Sequence, residues 1–130
     1  MEIGKKNKKR IMLVDDEKDV SFTLKAILEK YGYEVDSFNL SHLALQNFRA
    51  NFYDLIILDV RMPSMNGFQL CREIKKRDSQ VKIIIVSAFE LYNEKFKPDL
   101  DDIECFIQKP VDSEELIREV QVAIGDDERQ

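Results

Sequence analysis

Hydrophobic runs in this 130-residue chain stop at residues able to do chemistry. Asp15 and Asp16 follow Ile11–Val14, Asp59 follows Leu55–Leu58, Ser87 follows Ile83–Val86, and Lys109 follows the short run ending at Gln108. Carboxylates gathered at one place repel and raise one another's pKa unless a cation lies among them. These are hard oxygen donors with no histidine or thiolate beside them, a set that suits Mg²⁺. Such an ion keeps several waters and can hold a phosphate oxygen, while a lysine ammonium and a hydroxyl neutralise and hydrogen-bond the rest of the group. Asp59 is then left as the nucleophile. Taken singly, each residue has a plainer reading: Asp59 as a turn cap, Ser87 as a turn residue, Lys109 as a solvated charge. Their recurrence at strand ends favours the joint reading.

The elements that must position them follow from periodicity. Apolar runs alternate with segments of helical spacing, the rhythm of βα units around a parallel sheet. The strands are expected at Arg10 to Asp15, Tyr33 to Phe38, Asp54 to Asp59, Val81 to Ser87 and Glu104 to Gln108. After the first strand, Val20, Leu24, Ile27, Leu28 and Tyr31 make a core-facing helical stripe that Gly32 ends. The second helix is expected from about Ser41 to Ala50 with Leu43, Ala44 and Phe48 inward, and the third runs to about Arg77 behind an Asn66 cap. Glu90 to Lys97 is the weakest helical segment, because Pro98 stops it. The last helix starts at an Asp112 or Ser113 cap, turns Leu116, Ile117, Val120, Ala123 and Ile124 inward, and closes at Gly125. In an open parallel α/β sheet ligands bind at the carboxyl ends of the strands, so all the candidate residues face one cleft.

Composition bounds the rest. With 44% hydrophobic and 35% charged residues the chain fits one domain: a basic leader over residues 1–9, the folded unit over 10–124 and a polar tail over 125–130. A net charge of -5 argues against direct nucleic-acid binding. No apolar run reaches the roughly 18 residues that span a bilayer, so a cytoplasmic protein without membrane insertion is expected. Cys71 and Cys105, with no Cys-x-x-Cys pair, read as small core residues. His42, the only histidine, reads as a solvated or half-buried residue and not as a phosphodonor.

At this point the segments MLVDDE, LIILDVRMPSMNG, IIIVSA and FIQKP, in that order, resemble the successive signatures of the receiver family of two-component response regulators. The resemblance covers roughly Arg10 to Ile124 and implies a flavodoxin-like (βα)5 doubly wound sheet of strand order 2-1-3-4-5. It implies that Asp59 is the phosphoacceptor, Asp16 a direct Mg²⁺ ligand, and Asp15 a ligand through water. The backbone carbonyl of Arg61 would complete the coordination. Lys109 would pair with one phosphoryl oxygen and Ser87 would hydrogen-bond another. Phe106 stands at the place of the aromatic that changes rotamer, and Pro110 would hold its loop through a cis bond to Lys109.

The implied function is that of a single-domain regulator, not an enzyme in its own right, that takes a phosphoryl group from a sensor histidine kinase or phosphotransfer protein. It would then switch the binding of a downstream protein or pass the phosphate on, as a monomer or a phosphorylation-dependent dimer. Arg61 and Phe89 flank the path of a hydrolytic water and neither orients it well, so slow loss of phosphate is expected. The stretch Asp102-Ile103-Glu104-Cys105 departs from the family's usual Gly-Ala step. Beside it, Leu91, Tyr92, Phe96 and Leu100 offer either a partner patch or satellite core. Two other readings compete: a receiver-like interaction module that is never phosphorylated, and an aspartate-nucleophile phosphatase. The second lacks its expected acid two residues after Asp59, where Arg61 stands.

Overall fold

The computed structural model describes residues 8–88 and 103–125. Their elements run β1 (Arg10–Val14), α1 (Lys18–Lys30), β2 (Glu34–Phe38), α2 (Ser41–Asn47), β3 (Leu55–Leu58), α3 (Gly67–Arg77), β4 (Lys82–Ser87), β5 (Cys105–Gln108) and α4 (Ser113–Ile124). The segment expected as a helix over Glu90 to Lys97, its apolar points Leu91, Tyr92, Phe96 and Leu100, and Phe89 lie outside the described residues.

The strands form one parallel sheet in the order β2-β1-β3-β4-β5, as the resemblance implied. Continuous apolar runs become its centre because both faces are covered. Met12, Ile56, Leu58, Ile83 and Ile85 face Ala44, Phe68, Leu70 and Ile74 of α2 and α3. Ile11, Leu13, Leu55, Ile57, Ile84 and Val86 face Leu24 and Leu28 of α1 and Leu116, Ile117 and Val120 of α4. Each such side chain, taken fully out of water, contributes about 1.5–3 kcal/mol. Register matters most for function. Val14 lies level with Phe38 and Leu58, Leu58 with Ile85, and Ser87 with Gln108, so the residues that follow these strands emerge side by side.

Helix ends follow their local chemistry. Gly32, at φ 93°, lets the chain leave α1: its N–H reaches the Glu29 carbonyl and that of Tyr33 the Leu28 carbonyl, both last-turn acceptors. Asn66 and Gln69 close a reciprocal capping box on α3, and Asp112 caps α4 through Glu115 N–H. Two expected core residues are not core. Tyr31 is the C-cap of α1 and is 54% exposed, because the chain turns out of the helix there. Leu43 is exposed because Ser41 and Ala44 make the buried row of α2 and it stands beside that row. The helix also stops at Asn47, short of Ala50, since Phe48 takes an extended backbone and turns its ring onto Tyr53, 6.0 Å between centroids.

Candidate functional site

The site starts with strand ends that the sheet brings level. Asp15 N–H donates to the Phe38 carbonyl at 3.1 Å and Asp59 N–H to the Val14 carbonyl at 2.9 Å, so both acids continue the ladder one step past their strands. Asp15 is further held by Asn39, whose Nδ2 donates to its carbonyl at 2.9 Å. On the other side Lys109 N–H donates to the Ser87 carbonyl at 3.0 Å, tying the end of β5 to that of β4. The Lys109–Pro110 peptide bond is cis, as expected.

These bonds deliver a charged cluster into nearly dry surroundings. The Asp15, Asp59 and Lys109 side chains are 2%, 6% and 12% exposed. Lys109 Nζ lies 2.9 Å from Asp15 Oδ2, 3.5 Å from Asp59 Oδ2 and 2.7 Å from Glu17 Oε1. Burial pushes the Asp15 carboxyl above the ordinary carboxylate range although Lys109 and the Glu17 N–H work against that shift. Burial would lower the Lys109 ammonium, but the bonds to Glu17 and Asp15 and the neighbouring negative charges carry it upward, so it stays charged. Ser87 is buried at the end of β4.

Carboxylate oxygens of Asp15, Glu17 and Asp59 all lie within 4.8 Å of one another, a gathering of hard oxygen donors of the kind that can hold a divalent cation. Asp16, expected as a direct ligand, is half-buried and stands outside that trio. Glu17 was not singled out from sequence, although it closes the acidic run of the MLVDDE segment. Arg61 is the second residue after Asp59, in the loop before α3. Phe106 packs half-buried against the core face shared with α2 and α3.

Uncharged residues help to hold the loop from Asp59 to α3. Ser41 Oγ donates to the Met65 carbonyl at 2.6 Å, and Gly67 N–H donates to the Val60 carbonyl at 2.8 Å. A methyl group on Gly67 would collide with the Asp59 carbonyl oxygen and lie 2.9 Å from both the Asp59 carbonyl carbon and Val60 Cα. Only glycine lets α3 start this close to Asp59. His42 is exposed on α2 and Cys71 is buried, as read from sequence, whereas Cys105, also expected in the core, is only half-buried at its edge on β5. No helix among the described residues is long and apolar enough to cross a membrane.

Comparison with known proteins agrees with this geometry. A family model described as the response regulator receiver domain matches residues 11–121. Response regulator ArlR of Staphylococcus aureus is 33% identical over 115 residues, 88% of this chain and 52% of ArlR. The chain therefore spans about half the length of the curated relatives it matches. Among solved structures, the non-phosphorylated HemR receiver domain of Leptospira biflexa superposes with a TM-score of 0.84 at 29% identity, covering 95% of this chain and 99% of that one. Response regulator TrrA of Thermotoga maritima, solved in complex with Mg²⁺-BeF, gives 0.78 at 31% identity over 88% and 98% of the two chains.

Proposed function

The chain belongs to the response regulator receiver domain family, and from that membership we propose that it accepts a phosphoryl group on Asp59 in a Mg²⁺-dependent reaction. The observation that carries this reading is the buried Asp59 carboxylate, 3.5 Å from the Lys109 ammonium and grouped with the carboxylates of Asp15 and Glu17. In the proposed step an Asp59 oxygen attacks phosphorus, forming a P–O bond, as the bond from phosphorus to the donor breaks. For a phosphohistidine donor the leaving group is an imidazole nitrogen; for acetyl phosphate it is acetate. The product is an acyl phosphate.

Asp15, Asp16 and Asp59, with the Arg61 carbonyl, would hold the Mg²⁺ ion, which when bound supplies positive charge against the oxygens of the transferring group. Lys109 offers a second positive charge, from a side chain already held by the acids it would serve. Ser87, at the neighbouring strand end, is the hydroxyl assigned to the phosphoryl group. Phe106 is assigned to the space that a Ser87 movement would open. The added charge thus biases the face around β5. The donor would be a sensor histidine kinase or phosphotransfer protein, and the output a bound protein partner or onward transfer of the phosphate. The protein would act in the cytoplasm and catalyse only its own phosphorylation and slow dephosphorylation.

The test is incubation with acetyl phosphate and Mg²⁺ followed by intact-mass measurement of the native protein and Asp59→Ala. The expected result is one added phosphoryl group on the native protein, abolished by a chelator and absent from the variant. An unmodified native protein beside a competent control would favour an interaction module that works without phosphate.

A further inference from the structure

We propose that Glu17 is a positioning residue that latches Lys109 in the resting protein and releases it when a phosphoryl group arrives. The proposal rests on the phosphoacceptor reading and adds a residue that sets how readily Asp59 is modified.

Three observations carry it. Glu17 Oε1 makes the shortest of the three Lys109 ion pairs, at 2.7 Å, across 92 residues of sequence. Glu17 occupies the N-cap position of α1, where a short polar side chain would ordinarily accept from first-turn amides, yet its side chain makes no cap bond. The side chain is committed to Lys109 instead, while its backbone serves locally: its N–H donates to Asp15 Oδ1 at 2.9 Å and its carbonyl accepts from Ser21 N–H at 3.0 Å. Third, the partners differ in freedom. The Glu17 side chain is 60% exposed, whereas those of Asp15 and Asp59 are 2% and 6% exposed.

These facts order the events. An ammonium has three donor hydrogens, and here three carboxylates surround it. Before transfer, while Asp59 still carries its charge, an incoming phosphoryl oxygen can gain Lys109 only if one carboxylate yields its place. Asp15 is locked by burial and by the bond from Glu17 N–H, and Asp59 is the acceptor itself. Glu17 is the member whose release costs least, because its carboxylate swings into water and is resolvated there. Its charge also stands at the mouth of the site, where it repels an incoming anionic donor. Both effects oppose phosphoryl uptake; once the phosphoryl group holds Lys109 the latch is already open, and the released Glu17 carboxylate is turned to water, which screens its charge.

Uptake and loss of phosphate therefore respond differently to Glu17→Gln, which keeps the shape and removes the charge. With acetyl phosphate and saturating Mg²⁺, followed by intact mass, the variant is expected to gain phosphate about two- to fivefold faster than the native chain, the scale of one partly exposed ion pair. Its phosphate loss after donor removal should match the native rate. Glu34→Gln removes an exposed carboxylate paired with Arg10 at the opposite end of the sheet, and it should leave both rates unchanged. Uptake by Glu17→Gln no faster than native overturns the latch. So does slower uptake, or a raised Mg²⁺ requirement, which would make Glu17 a cation ligand. If the native chain takes no phosphate while a control does, the phosphoacceptor reading fails and the latch with it.

Discussion

Lys109 Nζ stands 2.9 Å from Asp15 Oδ2, with both side chains almost out of water, so each charge depends on the other. Replacing Lys109 by Met strands buried carboxylates, a change that costs up to about 3–5 kcal/mol when a buried pair loses one partner. The deficit should depend on pH. Burial already raises the Asp15 pKa above its ordinary 3.8 and Lys109, ahead of the Glu17 N–H, opposes that rise, so removing the lysine raises the folded-state value further. A carboxyl raised in the folded state leaves stability intact below its unfolded pKa and loses it as pH rises through the folded one. Urea unfolding of Lys109→Met should therefore show a small deficit in acid and a larger one at neutral pH. Added Mg²⁺ should restore part of the neutral-pH loss by binding the folded state.

Gly67→Ala should harm the site without touching a charged group. The new methyl meets backbone atoms of Asp59 and Val60, which cannot rotate away as a flexible side chain could. Overpacking of this kind costs about 1–3 kcal/mol. The expected outcome is a lower urea midpoint, together with slower phosphoryl uptake than destabilised variants elsewhere in the core show at the same folded fraction. Uptake at the native rate would mean that the Asp59 loop relaxes around the methyl.

Cys105 should be a sluggish nucleophile. Burial, then Glu119, Glu115 and Glu104, push its thiol up to about 12 from 9.0. Thiolate is the reactive form, and its loss is only partly offset by greater intrinsic nucleophilicity. Iodoacetamide in mildly alkaline buffer should label Cys105 on the order of tenfold or more slower than a free thiol. Glu119→Gln should speed labelling by removing one of the opposing charges. Labelling of the native protein at the free-thiol rate contradicts this placement.

The sheet was legible because four of its five strands are short apolar runs that stop at a polar residue, β2 being the exception, and that punctuation is also what marks the site. Asp15, Asp59, Ser87 and Lys109 could be found one strand at a time, since parallel strands in register put their ends together. Glu17 could not be singled out in that way. It is one more exposed acid at a helix start, where acids are common, and its distinction lies in reaching Lys109 across the fold. Gly67 could not be singled out either, because its closeness to Asp59 depends on how α3 docks. Tyr31 and Leu43 misled for a local reason: helical spacing identifies a stripe but not its width or its last turn.

The measurement that bears most directly on the central claim is reductive trapping. Borohydride converts an aspartyl phosphate to homoserine and leaves a free carboxylate unchanged, so it records which acid carried the phosphoryl group. After treatment with acetyl phosphate and Mg²⁺, then borohydride and peptide mass mapping, homoserine should appear at position 59 and at no other aspartate. Its appearance should require Mg²⁺ and should decline when Lys109 is replaced. Homoserine at Asp15 or Asp16 in place of Asp59, or none on a folded protein beside a competent control, would contradict the account.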